Sequence, residues 1–190
     1  MHRKLGKLRL FGAIIFAATS LILCHYSSAQ SSGKLSRISI SNTWSGAMIV
    51  VWAHKPGNWL WGYTPYDAKS WGDYNNWSVI YNNDSTITFK NVGQGTCMTA
   101  YSIKGLTHET CSQSANQKFQ PVLSESGAIQ LKSISLKNQC IHAFASSDWK
   151  YAFGVNFTTC ALPGEAVDSN QLWTLNPEVK NSRVSPHEEL

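Results

Sequence analysis

The sequence predicts an all-β fold built from three similar repeats, and three observations support this fold class. Short runs rich in Ile, Val, Thr and aromatic residues are separated by Gly, Asn, Ser and Asp, which is typical of strands joined by turns. Beyond residue 30, no stretch keeps the apolar spacing of an amphipathic helix over three turns. One pattern of strand, hairpin and aromatic residue recurs three times, with hairpin segments starting at residues 48, 97 and 140. Three repeats of about 45 residues, each with four short strands, predict a β-trefoil.

The first 29 residues have the order of a secretory signal peptide. Residues 1–9 are basic, residues 10–23 form an almost unbroken apolar run, and small residues precede a cleavage site after Ala29. A retained membrane anchor is the alternative, but the run is shorter than the roughly 20 residues that a spanning helix needs. Lipid attachment at Cys24 is a third interpretation, although the bulky Leu23 stands where a lipoprotein signal carries a small residue. We therefore expect a secreted protein, associated with the outer membrane if Cys24 is lipidated.

The basic charge of the chain lies mostly in this signal peptide. The formal net charge is +5, yet four of the Lys and Arg residues precede residue 10, and the first acidic residue is Asp67. Without the signal peptide the two signs nearly balance, which removes the electrostatic support for a nucleic-acid partner. Disorder is excluded as well, because 43% hydrophobic residues are enough to form a core.

The remaining chain divides into three segments. Residues 30–37 are expected to be a flexible N-terminal segment, residues 38–177 form the repeat domain, and residues 178–190 are a polar C-terminal tail. The last four residues, HEEL, resemble a signal for retrieval to the endoplasmic reticulum, and a chance polar ending is the alternative.

The three repeats align in their hairpin segments and in the strands around them. The segments MIVVWA, CMTAYS and CIHAFA carry an aromatic residue at their fifth position, namely Trp52, Tyr101 and Phe144. Each repeat ends in a polar pair that leads to an aromatic residue, in NNWSV, NQKFQPV and NQLWTL. One repeat cannot bury its apolar face alone, so the three are expected to close around a pseudo-threefold axis, and a β-sandwich with chance similarity is the alternative. Predicted strands span residues 37–41, 48–53, 77–81, 86–90, 128–132, 155–159 and 172–175.

The cysteines after the signal peptide predict two disulfides. Four remain, and an even number in an exported chain is typical of disulfide bonding, with three pairings possible. In the second and third repeats the first Cys opens the hairpin and the second closes its return strand, which favours pairing within each repeat. Zinc is the competing interpretation, but the spacing of structural zinc ligands is absent from the sequence. The favoured pairs are Cys97–Cys111 and Cys140–Cys160.

Aromatic residues are concentrated between residues 52 and 77, where eight occur. Trp52 and Trp77 hold repeat-equivalent positions and are expected in the core, whereas Trp59, Trp61 and Tyr63 alternate along one strand face in the longest insertion. Four such side chains together exceed the apolar patch that a monomer normally exposes, so we predict a binding surface for a glycan, a lipid headgroup or a protein. Burial beneath residues 64–71 is the alternative. The predicted members are Trp52, Trp59, Trp61, Tyr63, Tyr66 and Trp71.

The sequence contains no recognisable catalytic constellation. The histidines after the signal peptide are His54, His108, His142 and His187, and the adjacent His108 and Glu109 would face opposite sides of a strand. Hydrolase, metalloprotease and phosphate-loop motifs are absent. We therefore expect no catalytic residues, no metal ligands and no cofactor.

Several of these motifs resemble known families. Cys on the second strand, Cys on the third and N-Q-x-W on the fourth resemble the ricin-type lectin repeat. More narrowly, AMIVVWAHKPGNWLWGY, WGDYNNW, GTCMTAY and HETC resemble the A subunits of cytolethal distending toxin, from about residue 38 to residue 177. The ending QLWTLNP is also similar to the sister C subunit, which stays open as the alternative.

The resemblance implies a function in delivery. It implies a non-enzymatic subunit that binds the host-cell surface and that assembles with a DNase I-like subunit, together with a second ricin-like trefoil subunit. An aromatic patch is implicated in host-cell binding in the A subunits, and its positions match Trp52, Trp59, Trp61 and Tyr63. Sugar-binding ricin repeats carry an Asp two residues after the first Cys, so galactose binding is not expected at the three equivalent positions, which hold Val50, Thr99 and His142. A free-standing secreted lectin is the alternative function, followed by a trefoil protease inhibitor.

Overall fold

The structure is a computed structural model that describes residues 37–147 and 152–180. The predicted signal peptide, Cys24, the segment before Arg37 and the final HEEL lie outside the described residues. Within the described ranges, none of the helices has the length and apolar character needed to cross a membrane.

The described residues form twelve antiparallel strands, four in each repeat. Four short helical segments interrupt them: α1 (Pro65–Ala68) and 3-10 turns at Lys69–Asn75, Ala115–Gln117 and Ser169–Gln171. The strands are β1 (Arg37–Asn42), β2 (Met48–Val50), β3 (Trp61–Tyr63), β4 (Trp77–Tyr81), β5 (Ile87–Asn91), β6 (Cys97–Ser102), β7 (Gly105–Glu109), β8 (Phe119–Leu123), β9 (Ile129–Ser133), β10 (Gln139–Ala145), β11 (Ala152–Thr159) and β12 (Trp173–Pro177).

The pairing of the strands confirms the β-trefoil. The first and fourth strands of each repeat close a ring in the order β1, β4, β5, β8, β9 and β12, with β12 pairing back to β1. The second and third strands of each repeat form hairpins, and these hairpins also meet one another: β3 pairs with β11, and Trp59 bridges Thr107 of β7. Residues from three repeats therefore converge on one side of the barrel.

The core repeats with the same threefold pattern. The fourth strands contribute Trp77, Phe119 and Trp173, each at most 1% exposed. Buried indoles need an acceptor for their N–H group. The Nε1 of Trp77 donates to the Ile49 carbonyl, and that of Trp173 donates to the Ile141 carbonyl, both at 2.9 Å. Phe119 carries no N–H group, so the second repeat needs no hydrogen-bond acceptor for the side chain at this position.

The two predicted disulfides are confirmed. Cys97 bonds Cys111 and Cys140 bonds Cys160, with Cα atoms 4.9 and 5.0 Å apart. The first repeat has Met48 in the corresponding first position of its hairpin. A second apolar cluster forms around that side chain, from the buried Met48, Val50 and Ala68 and the partly buried Tyr63, Trp71 and Val179.

The structure corrects two boundaries. The strand predicted at residues 48–53 ends at Val50, because the chain leaves the hairpin there and enters the insertion. Arg37 was assigned both to the flexible segment 30–37 and to the first predicted strand, and it is the first residue of β1, opposite Ser78. At the other end of the domain, the Val179 N–H donates to Asn76 Oδ1 at 2.8 Å, and Asn76 Nδ2 donates to the Val179 carbonyl at 3.1 Å.

Candidate functional site: an exposed aromatic surface

Strand alternation in the first repeat directs its aromatic residues outward. Leu60 and Gly62 are buried against the core, whereas Trp59, Trp61 and Tyr63 lie on the other side of the chain. A side chain at Gly62 would place its Cβ 3.1 Å from the Cβ of Phe153, so β3 approaches β11 closely. This close pairing holds the outer face of β3 beside the third repeat.

Trp59 and Trp61 line one cavity of about 170 Å³ with residues from all three repeats. Trp59 is 40% exposed and meets Tyr101 edge to face at 5.3 Å between ring centroids. Phe144 and Lys104 complete the exposed walls. We call this the Trp59 cavity.

Glycines form the floor beneath these rings. A Cβ added to Gly105 would lie 3.0 Å from the Trp59 ring and 2.9 Å from the Val155 carbonyl oxygen. A Cβ added to Gly154 would collide with the Phe144 ring. The rings of Trp59 and Phe144 can therefore lie directly on backbone only because both positions lack a side chain.

Trp52 and Trp71 line a separate cavity of about 300 Å³ with Val51, His54, Ser70 and Tyr74. Trp52 is 44% exposed, and the His54 imidazole stacks on the Tyr74 ring at 4.2 Å. This cavity shares none of its lining residues with the Trp59 cavity. The predicted patch is thus divided into two concave parts.

Tyr63 and Tyr66 have different surroundings. Tyr63 is half-buried and meets Trp71 edge to face at 4.6 Å, and burial, with the Asp67 carboxylate nearby, raises the pKa of its phenol. Through this contact Tyr63 packs against a ring that lines the second cavity. Tyr66 is 75% exposed in α1, where Lys69 Nζ lies 4.6 Å from its ring centroid.

The expected core position of Trp52 is wrong. The second and fourth positions of each hairpin segment face the core, as Ile49 and Val51 do, so the fifth position faces outward. Tyr101 and Phe144 follow the same rule, with 65% and 38% exposure. Those two residues belong to the aromatic surface but were not predicted as members. Their fifth position in each repeat was the signal in the sequence that could have identified them.

The positions equivalent to the lectin Asp offer no open carboxylate. Val50 is fully buried, and Thr99 is 3% exposed, with its hydroxyl donating to the Cys97 carbonyl and accepting from Gln117 Nε2, both at 3.0 Å. His142 Nδ1 lies 2.8 Å from Asn156 Oδ1. These three positions therefore present no carboxylate oxygen that could accept hydrogen bonds from sugar hydroxyl groups.

His108 is a structural group rather than an exposed base. It is fully buried, with Nε2 2.8 Å from the Ala53 carbonyl and Nδ1 2.9 Å from Thr96 Oγ1. A carbonyl can only accept, so Nε2 donates and Nδ1 accepts from the Thr96 hydroxyl. Burial lowers the pKa of His108, which favours the neutral imidazole. Residues 37–147 and 152–180 contain no group of three or more His, Cys, Asp or Glu side chains placed to hold a metal ion.

The sequence and the fold agree with one family. Residues 37–184 match the model of the cytolethal distending toxin A/C domain. The chain belongs to the cytolethal distending toxin A/C family. The A subunit of this toxin from Aggregatibacter actinomycetemcomitans is 34% identical over 137 residues, which cover 71% of this chain and 60% of that relative. The A subunit from Campylobacter jejuni is 34% identical over 122 residues, which cover 62% of this chain and 44% of the relative. The resemblance to the A subunits is confirmed, and the chain spans less than two thirds of the length of these relatives.

Solved structures of the toxin agree with the family. One chain of the cytolethal distending toxin from Actinobacillus actinomycetemcomitans superposes with a TM-score of 0.68 at 30% identity, covering 79% of this chain and 96% of that one. One chain of the Haemophilus ducreyi toxin gives the same TM-score at 28% identity, covering 79% of this chain and 88% of that one. A ricin B-like lectin from Macrolepiota procera in complex with lactose has a TM-score of 0.57 at 13% identity, which shows a shared fold alone.

Proposed function

We propose that this chain is a non-enzymatic binding subunit of a secreted cytolethal distending toxin with three subunits. In this role it attaches to a glycan, lipid or glycoprotein of the host-cell surface and assembles with a DNase I-like subunit, together with a second ricin-like trefoil subunit. Export follows from the signal peptide, with outer-membrane attachment if Cys24 is lipidated. Family membership and similarity to chains of two solved toxins support the assembly.

The observation that carries the proposal is the exposed aromatic surface. Trp59, Trp52 and Tyr66 keep 40%, 44% and 75% of their area exposed although the fold has a complete core elsewhere. Exposed aromatic groups beside concave cavities are typical of binding surfaces, and Trp and Tyr dominate the binding energy of protein interfaces. The Trp59 cavity is the centre of this surface, because rings from three repeats meet there.

The binding role is tested by replacing Trp59 and measuring attachment of the protein to host cells. Trp59→Ala should weaken binding roughly tenfold to hundredfold, since losing a central aromatic contact corresponds to about 1.4–2.8 kcal/mol. Trp44→Ala is the matched control: Trp44 is 49% exposed and packs on Phe153, on the other face of β3. Equal binding by the Trp59 variant and the wild type would refute the surface as a receptor site.

Assembly separates a toxin component from a free-standing lectin. Co-expression with a DNase I-like partner should yield a stable complex that survives size-exclusion chromatography. A protein that always elutes alone, yet binds cells through Trp59, would favour the secreted lectin instead.

A further inference from the structure

A polar groove lies between the first and second repeats and shares no lining residue with the aromatic cavities. It consists of two cavities of about 210 and 340 Å³, which have Ile80, Asn82 and Gln113 in common. One wall is the turn between β4 and β5, and the other is the loop that follows Cys111. The groove therefore lies between the barrel and the hairpin of the second repeat, which the Cys97–Cys111 disulfide closes.

Hydrogen bonds hold the first wall in place. Asn82 Nδ2 donates to the hydroxyl groups of Thr86 at 3.0 Å and Thr88 at 3.2 Å. The Asp84 carboxylate accepts from the Thr86 hydroxyl and from Lys118 Nζ, the latter at 2.7 Å. Side chains that are already ordered lose little conformational entropy when a ligand binds.

The second wall is fixed by the disulfide and by a buried amide. Cys111 is bonded to Cys97 at the start of β6, and the Ser112 N–H donates to Gln117 Oε1 at 2.7 Å. Gln117 is in turn anchored to Thr99 and to the Thr110 carbonyl. The loop that carries Gln113 is thus tied to the core on both sides.

The groups that face the groove suit a neutral polyhydroxy ligand. The Tyr81 ring is 78% exposed, and within the described ranges the Asn83 and Gln113 amides have no hydrogen-bond partner. Hydrogen bonds from Lys118 and Thr86 lower the pKa of Asp84 to about 2, so its carboxylate remains an acceptor at physiological pH. Because Asp84 already neutralises Lys118, the described lining of the groove holds no unpaired cation that would attract a phosphate.

We propose that this groove is a carbohydrate-binding site. A sugar ring stacks on Tyr81, and its hydroxyl groups donate to Asp84 and exchange hydrogen bonds with the amides of Asn83 and Gln113. Asp84 lies in the turn that joins the first repeat to the second, between Tyr81 of β4 and Ile87 of β5.

The test measures binding of the mature protein to an array of neutral oligosaccharides of galactose, N-acetylglucosamine, mannose and fucose, followed by titration of the best ligand. Tyr81→Ala and Asp84→Asn should each weaken binding at least tenfold. Trp44→Ala is the control, because Trp44 is an exposed aromatic residue outside both the groove and the aromatic surface, and this variant should bind like the wild type. Circular dichroism would verify that the variants are folded.

The outcomes separate this site from the aromatic surface. Oligosaccharide binding that is lost in Trp59→Ala and kept in Tyr81→Ala would overturn the groove and place the sugar on the aromatic surface. The proposal would also be overturned if no neutral oligosaccharide bound with a dissociation constant of about 1 mM or lower. If cell binding is unchanged in Trp59→Ala while Tyr81→Ala still weakens sugar binding, the receptor proposal fails and the groove stands.

Discussion

The first and second repeats close the same hairpin in different ways. In the second repeat, residues 103–104 alone separate β6 from β7, and the Cys97–Cys111 bond closes the hairpin. In the first repeat Met48 replaces the cysteine, and the segment 51–60 separates β2 from β3. There the hairpin is held by apolar packing of Met48 with Tyr63, Trp71 and Val179.

The difference shows how one repeat can gain a binding surface within a symmetric fold. Packing against α1 and the following 3-10 turn holds the first hairpin without a covalent bond, so the chain can carry a long insertion. The insertion in turn presents Trp52 and Trp59, each of which lines a cavity together with a second tryptophan. The described part of the second repeat has no cavity of this kind. The second repeat instead contributes a rigid support, Gly105 and Tyr101, on which Trp59 rests.

The largest expected effect comes from removing the covalent closure. Replacing both Cys97 and Cys111 with Ala should lower the free energy of unfolding by about 2–5 kcal/mol, since the unfolded chain regains conformational freedom. Urea unfolding under oxidising conditions measures this difference. A loss below about 1 kcal/mol would mean that packing alone holds the second hairpin, as it does the first.

Met48→Ala removes the packing that takes the place of that disulfide. Met48 is only 2% exposed, so the change should leave a cavity and lower the free energy of unfolding by about 2–5 kcal/mol. The loss should be about the same in the wild type and in the Cys97/Cys111 double-Ala background, because the two hairpins are closed independently. Met98→Ala, at a fully buried core position of the second repeat, is the control for a general core effect. If Met48→Ala is neutral, the second apolar cluster does not hold the first hairpin.

A smaller effect is expected from pH, through the histidine that joins the two repeats. His108 of β7 donates to Ala53 of the insertion, and its pKa is lowered by burial below the ordinary value of 6.5. Above pH 6.5 both folded and unfolded states hold this histidine neutral, so its contribution to stability is complete. As the pH falls below 6.5, the unfolded state takes up a proton first, and stability should fall by at most about 1.4 kcal/mol per pH unit.

The variant His108→Gln checks this assignment. Glutamine can donate to the Ala53 carbonyl and accept from Thr96 without a titrating group. The stability of this variant, measured by urea unfolding from pH 8 to pH 5, should change less with pH than that of the wild type. Parallel pH profiles for the two proteins would mean that other groups are responsible.

The smallest expected effect on stability belongs to the aromatic surface itself. Trp59→Ala should change the free energy of unfolding by no more than about 1 kcal/mol, because a partly exposed side chain contributes little to folding. Thermal unfolding of the same preparation that is used for cell binding would verify it. A loss of about 3–5 kcal/mol would instead identify Trp59 as a core residue.

Much of the fold could be predicted because its signals are local. The period of two in strands such as Ile87–Asn91 and the recurrence of the hairpin segments predict the twelve strands and their grouping. Both disulfides followed from the place of each Cys within its repeat. Because the pattern occurs three times, an interpretation of one position can be checked at the two equivalent positions, which a single motif does not allow.

The composition of the surface depended on tertiary contacts. Trp59 was predicted as a member of the patch, but its neighbours Tyr101 and Phe144 come from other repeats and meet it only when the three hairpins adjoin. The expectation that Trp52 is buried was mistaken, because the second and fourth positions of the hairpin segment face the core and the fifth therefore faces outward. The polar groove beside Tyr81 could not be predicted from the sequence, since its two walls are brought together by the pairing of β8 with β5.

The sequence by itself determined the threefold β fold, the disulfide pairing and the concentration of aromatic residues in one insertion. Alternation and repetition act over a few residues and are therefore visible along the chain. Only the tertiary structure decided which rings share a cavity, that Tyr63 packs against Trp71, and that Asp84 and Gln113 line the same groove. Those outcomes depend on how hairpins from distant parts of the chain pack against one another, and no local pattern encodes these distances.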